Sequence, residues 1–391
     1  MQPDVVINSL WSSGVEDVTV HRNHLTRCDG NGVFLGGYTR GVNITGNDMT
    51  WIGDSVIAAF GWTSECLHAD CKVKLPAKVG PDGRGGEQPR GTYIAGNAIR
   101  EFGIWQKQSS AFFMAIAALS TFESNVVFNG PRAAINFNDP FGGGNKVVGN
   151  LMFNQVRETV DHGTLNAWER GPYFSDIGYV DDPEANLKPT SAELQAGATP
   201  GFKLCQHPAG SAVGQYTRLA NNFLLGTYNV NSNLETDDGS SRYLLYDNYF
   251  VYGTSATDAA MNAHWNYNVG NVYAYGETVL SGWSPSNHAC SESSTATCPE
   301  YAPMATNTYV YNSTFIMLGE RSACNVRSAT GPILDTSVIH SQLNATAATV
   351  LGPPCVGLVT DSVIVAKPAT DTAITAMAKK ALGAYPKPYS L

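Results

Sequence analysis

Two neighbouring segments of the chain share one pattern: FESNVVFNGPRAAINF, Phe122 to Phe137, and KVVGNLMFNQVRE, Lys146 to Glu158. In both segments a short apolar run leads into an asparagine, and a second apolar run follows it. The two asparagines, Asn125 and Asn150, are roughly 25 residues apart, and self-similarity at such a period indicates a repeat architecture rather than a set of unrelated strands.

The same pattern recurs along the chain. Five of the seven successive gaps between its asparagines are close to the first one in length, and the other two are about two and three times as long. Insertions that interrupt the repeat would produce these two long gaps. The turn asparagines are Asn23, Asn47, Asn97, Asn125, Asn150, Asn222, Asn248 and Asn271.

A coil of this length with three short strands cannot bury its inward apolar residues alone, so coils stack at about 4.8 Å and share one core. The sequence therefore predicts an all-β fold, a single-stranded right-handed parallel β-helix. We expect each asparagine to adopt the left-handed backbone of a tight bend and its amide to bond to the asparagine of the next coil. The alternative is a β-sandwich, in which strands recur at intervals of about 8–12 residues without a longer period.

The composition fits an extracellular all-β protein. Only 15% of the 391 residues are charged, the formal net charge is −9, and no cluster of Lys and Arg is present. This charge pattern argues against nucleic acid or an anionic membrane surface as a partner. No apolar run approaches the roughly 20 residues of a membrane-spanning helix, so we expect no membrane span.

The cysteines point to an oxidising compartment. There are eight, and two pairs are close in sequence, which is typical of short disulfide loops. A zinc site is the alternative, but no CxxC pair or flanking histidine has ligand spacing. The predicted disulfides are Cys66–Cys71, Cys290–Cys298 and Cys324–Cys355.

Glycosylation sequons also agree with secretion. They are NIT at Asn43, NST at Asn312 and NAT at Asn344. The N-terminal MQPDVVINSL has neither the basic start nor the apolar stretch of a signal peptide. We therefore expect the numbering to begin inside a longer precursor or at an artificial boundary.

We expect one β-helix over residues 1–365 and a C-terminal capping tail over 366–391. Loop insertions are predicted at about 62–91, 174–217 and 281–306, where Gly, Pro and close cysteines interrupt the repeat. In the tail, DTAITAMAKKALGA has helical character, and a short helix there would hide the open strand edge of the last coil.

Acidic residues concentrate where adjacent coils are predicted to stack. Asp139 ends AAINFND, and Asp161 ends RETVD at a distance along the chain that is close to one coil. We therefore expect both carboxylates on one face, about 5 Å apart. The coil after the second insertion adds Glu235, Asp237 and Asp238. Like charges this close repel, and a purely structural ladder would use Asn, Ser or apolar residues, so the acids favour a function.

Two carboxyl groups at such a separation suit glycoside hydrolysis, and the spacing leaves open whether the enzyme is retaining or inverting. His162 follows Asp161 and would relay a proton or hold a sugar hydroxyl, unless it is a structural histidine. Trp105 and Trp168 suit stacking on a sugar ring, with loop anchoring as the alternative.

Three cations accompany the acids: Lys107, Arg132 and Arg170. They would either bind acidic sugars or neutralise the carboxylates, and the second role is the safer interpretation for each of them.

The segments RAAINFNDPFGGGN, RETVDHGTLNAWERGPYF and ETDDGSS together resemble a group of secreted right-handed β-helix proteins in the pectate-lyase-like superfamily. Many members of that superfamily act on polysaccharides as lyases, hydrolases or epimerases. The resemblance covers roughly residues 103–253 and implies a carbohydrate-active protein. The matching positions are Asn138, Asp139, Asp161, His162, Asn166, Trp168, Arg170, Asp237 and Asp238.

We therefore predict a secreted polysaccharide-active enzyme, more specifically a glycoside hydrolase. The predicted catalytic residues are Asp139, Asp161, His162, Asp237 and Asp238. The predicted substrate-binding residues are Lys107, Asn138, Glu158, Asn166, Trp168 and Arg170.

Two alternatives remain. A polysaccharide lyase on this fold uses a Lys or Arg base near bound calcium, which the acids here could hold; no other cofactor or metal is predicted. A non-catalytic glycoprotein of an extracellular wall or fibre would use the same fold for self-assembly. A structural protein should bury the acids around the DHG motif, whereas an enzyme should leave them in an open groove.

Overall fold

The structure, a computed structural model, describes only part of the chain. The described residues are 6–7, 10–61, 88–138, 143–159, 162–168, 216–227, 233–237, 240, 243–253, 255–260, 266–276, 278–283, 308–311, 314–317, 324–327, 359–360 and 363–365. These residues contain no helix, and therefore none that is long and apolar enough to cross a membrane.

The regular structure of the described residues consists of strands, numbered β1 to β34 in chain order, in three long sheets and one short sheet. Sheet A has eleven strands: β1 (Val6–Ile7), β5 (His24–Thr26), β9 (Asp48–Ile52), β13 (Ala98–Phe102), β16 (Val126–Phe128), β19 (Leu151–Gln155), β22 (Phe223–Thr227), β25 (Tyr249–Val251), β28 (Val272–Gly276), β31 (Thr314–Met317) and β34 (Val363–Val365). Sheet B has ten: β2 (Leu10–Ser12), β6 (Val33–Gly36), β10 (Ile57–Phe60), β14 (Phe112–Ala115), β17 (Ile135–Asn138), β20 (Leu165–Trp168), β23 (Leu234–Asp237), β26 (Ser255–Ala260), β29 (Thr278–Trp283) and β32 (Cys324–Arg327).

Sheet D also has ten strands: β4 (Thr19–His21), β8 (Asn43–Thr45), β12 (Tyr93–Ala95), β15 (Thr121–Glu123), β18 (Lys146–Val148), β21 (Thr217–Ala220), β24 (Tyr243–Tyr246), β27 (Asn266–Val269), β30 (Thr308–Tyr311) and β33 (Val359–Thr360). Sheet C is short and holds β3 (Val15–Glu16), β7 (Thr39–Arg40) and β11 (Pro89–Arg90).

The chain visits these sheets in a fixed order. From β12 onward it passes from sheet D to sheet A to sheet B and then returns to sheet D, while the N-terminal coils also pass through sheet C. Neighbouring strands pair in parallel, as Ile94 of β12 does with Phe122 of β15. The predicted parallel β-helix is confirmed, and the β-sandwich alternative is wrong. Right-handed winding is the sense that connections between parallel strands adopt in nearly all proteins.

The asparagines form the predicted ladder at the bend between sheets D and A. From Asn23 to Asn248, the backbone N–H and Nδ2 of each ladder asparagine both donate to Oδ1 of the next one, at 2.9–3.2 Å. Nδ2 also donates to a backbone carbonyl of the preceding coil, for example from Asn125 to Ile94 O at 3.0 Å. The prediction that these asparagines occupy equivalent bends is confirmed.

The prediction that these asparagines themselves adopt the left-handed backbone conformation is wrong by one position. The left-handed residue is the one before each ladder asparagine, such as Ser124 with φ of 53° or Gly149 with φ of 64°. The asparagine is required for its amide, because its Oδ1 accepts two hydrogen bonds and its N–H groups reach both neighbouring coils. The preceding residue makes the turn.

The core lies between the three long sheets. On β17 the side chains alternate, so that Ile135 and Phe137 point inward and are 0% and 1% exposed. Phe112 of the adjacent coil packs edge-on against Phe137, with ring centroids 6.1 Å apart. Burial of each such side chain stabilises the fold by about 1.5–3 kcal/mol, and this alternation fixes which residues of sheet B face outward.

Several predictions lie outside the described residues. Among them are Cys66, Cys71, Cys290, Cys298 and Cys355 of the predicted disulfides. The capping tail over 366–391 and most of the three predicted insertions also lie outside. The domain limits and the disulfides stay predictions. Cys28 is described and its side chain is 2% exposed; burial, and secondarily the charge of Asp29, raise the pKa of its thiol.

Candidate functional site

Several predicted site residues lie on the outer face of sheet B, where β17, β20 and β23 lie side by side. Ile135, Leu165 and Leu234 pair across these strands and point into the core. Because neighbouring side chains of a strand point to opposite faces, the residues that follow them point outward. The two outward rows are Asn136–Asn166–Glu235, here the first row, and Asn138–Trp168–Asp237, here the second row.

The two rows differ in their access to solvent. In the first row, Asn136, Asn166 and Glu235 are 4%, 0% and 7% exposed, and Asn166 Nδ2 donates to Glu235 Oε2 at 3.3 Å. All three residues of the second row are half-buried. The first row therefore has the closed arrangement expected of a structural protein, and the second row is the more open side of the cluster.

Arg132 and His162 occupy equivalent positions on adjacent coils, each three residues before its strand of sheet B. His162 Nδ1 lies 3.5 Å from Glu235 Oε2, and the side chains of this pair are 10% and 9% exposed. On the other side of the ring, Arg132 Nη2 is hydrogen-bonded to His162 Nε2. A guanidinium only donates, so Nε2 is the acceptor in this contact, which assigns the imidazole proton to Nδ1.

His162 also has φ of 85°, a positive value that histidine adopts more often than most residues and that several other non-glycine residues of this chain share.

Three amide oxygens of the cluster are buried acceptors. No described residue donates a hydrogen bond to Asn136 Oδ1, Asn138 Oδ1 or Asn166 Oδ1. They sit on two adjacent strands, beside the carboxylates of Glu235 and Asp237. A buried acceptor without a donor costs about 1–3 kcal/mol, so these three oxygens are a local cost of the cluster.

Four predicted site residues lie outside the described part of the chain: Asp139, Asp161, Arg170 and Asp238. The register of the neighbouring strands nevertheless differs from the offset between coils that was assumed for Asp139 and Asp161. Ile135 pairs with Leu165, so the offset between these two coils is longer than the separation of Asp139 and Asp161 in sequence. The connection between β19 and β20 lengthens this coil, and sequence spacing alone does not reveal such an extension.

Lys107 and Glu158 form an ion pair with each other. Lys107 Nζ lies 2.8 Å from Glu158 Oε2, and the two side chains are 40% and 49% exposed. Both are in connections between sheets A and B. Trp105 is 71% exposed and its Nε1 is 3.4 Å from Asp29 Oδ1, so this indole is an exposed loop side chain.

Asn136 is the member of the cluster that the sequence analysis does not name, although it lies two residues before Asn138 and shares its face. Glu235 is expected among the acids of this face and Arg132 among the accompanying cations, but neither is assigned a catalytic or substrate-binding role there. Only the register shows that both lie beside His162.

Within the described residues, no three His, Cys, Asp or Glu side chains form a group that could hold a metal ion. The oxygen atoms near Glu235 come largely from asparagine amides instead.

No protein-family model matches this chain, and no curated protein matches its sequence. Among solved structures, the chain is similar to the crystal structure of PfbA, a surface adhesin of Streptococcus pneumoniae. The identity is 10%, the TM-score is 0.36, and the match covers 82% of this chain and 75% of the adhesin chain. A likeness at this level supports no inference about function. The resemblance to the pectate-lyase-like superfamily thus rests on the motifs, and the comparisons confirm no family.

Proposed function

We propose that the protein is a secreted polysaccharide-active enzyme, a glycoside hydrolase that works on the outer face of sheet B. Glu235 and Asp237 are its best-supported carboxylate pair. They are two residues apart on β23 and share a face, which separates their Cα atoms by roughly 6.6 Å. The carboxyl groups of a glycosidase pair are about 5–9.5 Å apart, a range that two side chains on Cα atoms so spaced can reach.

The second row carries the proposal, because Asn138, Trp168 and Asp237 lie half-buried beside one another on the outer face of sheet B. Their amide, indole and carboxylate groups lie next to the more deeply buried Glu235. A sugar presents several hydroxyl donors on one rigid ring. Trp168, half-buried in the second row, offers an indole for the apolar face of that ring.

In the proposed reaction one carboxylic acid donates its proton to the glycosidic oxygen while the bond to the anomeric carbon breaks. The other carboxylate either attacks that carbon or removes a proton from the attacking water. His162, whose Nδ1 lies 3.5 Å from Glu235 Oε2, acts as a positioning residue for that carboxylate. Water supplies the hydroxyl and the proton that appear in the products.

The other predicted residues remain part of the proposal. Asp139, Asp161 and Asp238 are proposed to contribute further catalytic carboxylates. Arg170, Lys107 and Glu158 are proposed to contact substrate. Lys107 and Arg132 are engaged by Glu158 and His162, so these described cations do not favour the Lys or Arg base of a lyase.

A second candidate function has one observation in its favour. Asn166, Glu235 and His162 are 0%, 7% and 8% exposed, as expected if the cluster only joins neighbouring coils. A structural glycoprotein of an extracellular wall or fibre would therefore fit the first row. Secretion, common to both candidates, is supported by the eight cysteines and the three sequons.

The test is incubation of the protein with a panel of neutral and acidic plant and algal polysaccharides. Released reducing ends and the ultraviolet absorbance of unsaturated products are measured on the same samples. A hydrolase releases reducing ends without that absorbance. Unsaturated products would assign a lyase, and an inert protein that assembles into fibres would support the structural candidate.

A further inference from the structure

The N-terminal half of the same sheet face is apolar. The outward residues on β2, β6, β10 and β14 carry no ionisable side chain. Its four aromatic residues are here called the aromatic strip: Trp11, Phe34, Phe60 and Phe113. Small residues fill the remaining outward positions: Gly36, Ala58 and Ala115.

The rings of the strip are packed against the sheet and remain accessible. Trp11 and Phe34 stack with centroids 4.5 Å apart and planes inclined by 25°. The Phe34 ring also covers Gly36, since a Cβ there would lie 2.9 Å from Phe34 Cε1. Trp11 is 68% exposed and lies in one row with Phe34 and Phe113, whereas Phe60 is 39% exposed and lies in the neighbouring row.

The strip continues directly into the cluster of amides and acids. Phe113 pairs with Asn136 of the first row, and Ala115 pairs with Asn138 of the second row. Both features therefore belong to one surface with a repeat of about 4.8 Å per coil. An extended polysaccharide lying along this surface would contact both.

We propose that the aromatic strip binds uncharged sugar residues, which makes the substrate a neutral polysaccharide. This inference rests on the proposed function. The C–H faces of neutral pyranose rings pack on aromatic side chains and lose little hydration there. A uronate chain would bring one carboxylate per residue to this surface, and the outward strand positions of these four coils offer no cation to pair with it. Further along the surface, Glu235 and Asp237 would repel its carboxylates.

The test is affinity electrophoresis in gels that contain hydroxyethyl cellulose, xylan, galactomannan or polygalacturonate. We expect retardation by at least one neutral polymer and none by polygalacturonate. Trp11→Ala and Phe60→Ala should each weaken that binding by about two- to tenfold, the equivalent of an aromatic contact. The matched control is Tyr93→Ala, which removes an aromatic side chain of similar exposure, 37%, from sheet D and should not change binding.

The outcomes separate this inference from the proposed function. Neutral binding that depends on Phe60, without cleavage, would support the strip and contradict the hydrolase. Cleavage of polygalacturonate, unaffected by Trp11→Ala or Phe60→Ala, would overturn the strip and leave the hydrolase standing. Binding to no polymer would overturn the inference. A dimer that sedimentation velocity detects and that Phe60→Ala dissociates would also overturn it, because the strip would then be a contact between two copies of the chain.

Discussion

Glu235 Oε2 lies 3.5 Å from Nδ1 of His162, although an insertion separates the two residues in sequence. Arg132 fixes the opposite nitrogen of the ring as an acceptor. A guanidinium, an imidazole and a carboxylate thus follow one another across adjacent coils, and the imidazole lies between the other two groups.

The tautomer of His162 is the first prediction. Nitrogen chemical shifts of the imidazole should show the proton on Nδ1 in the native protein. Replacing the guanidinium by an apolar side chain, Arg132→Met, should allow the proton to move to Nε2. A native His162 with its proton on Nε2 would contradict the arrangement, because Arg132 could not then donate to that nitrogen.

The second prediction concerns the asparagine ladder. Asn150→Ala should lower the free energy of unfolding by at least about 3 kcal/mol, because it leaves the buried N–H of Asn125 without its acceptor and removes the bonds from Asn150 Nδ2 to Phe122 O and Asn222 Oδ1. Guanidinium unfolding followed by circular dichroism measures the change. Asn43→Ala is the control: its amide makes one bond, to Gly41 O at 3.1 Å, so a loss within about 1 kcal/mol is expected. Equal losses in both variants would contradict a specific role for the ladder.

Much of the fold could be predicted from the spacing of these asparagines. Their amides must meet once per coil, so the repeat survives even where long insertions interrupt it. The register of sheet B could not be predicted in the same way, because the connections from sheet A to sheet B differ in length between coils. The offset assumed for Asp139 and Asp161 differs from the register of β17 and β20 for that reason, and the distance between these two carboxylates stays a prediction. Asn138, Asn166 and Asp237 lie on one face because their motifs lie within strands.

The left-handed turn before each ladder asparagine gives a third prediction. Gly96 has φ of 64° and open space around the position of a Cβ, so Gly96→Ala should destabilise the protein by about 1–2 kcal/mol through backbone strain alone. Gly30 also has open space but no such φ, and Gly30→Ala should be neutral or stabilising by up to about 1 kcal/mol. Thermal unfolding of both variants tests the difference. A harmless Gly96→Ala would show that the turn does not require this conformation.

The fourth prediction is a loss of stability in alkali. Burial raises the pKa of Tyr273, whose side chain is 4% exposed and donates to Asn268 Oδ1 at 3.3 Å. The unfolded chain releases this proton above about pH 10, whereas the folded protein retains it, so the stability from Tyr273 is complete below that pH and falls as the pH rises. Tyr273→Phe should cost about 1 kcal/mol at pH 7, and the deficit should shrink above pH 10. A deficit that stays constant up to pH 11 would contradict the burial of the phenol.

Catalysis by Glu235 and Asp237 is tested by comparing Glu235→Gln and Asp237→Asn with the wild type on the polysaccharide identified by the screen. Each substitution keeps the shape of the side chain and removes the carboxylate, so both variants should retain the wild-type circular dichroism spectrum. Loss of a positioned acid, base or nucleophile should reduce kcat by roughly 10²–10⁴-fold in each. Trp168→Phe, which retains a ring in the second row, serves as the control and should change KM more than kcat. Release of reducing ends at the wild-type rate by folded Glu235→Gln and Asp237→Asn would contradict catalysis by this carboxylate pair.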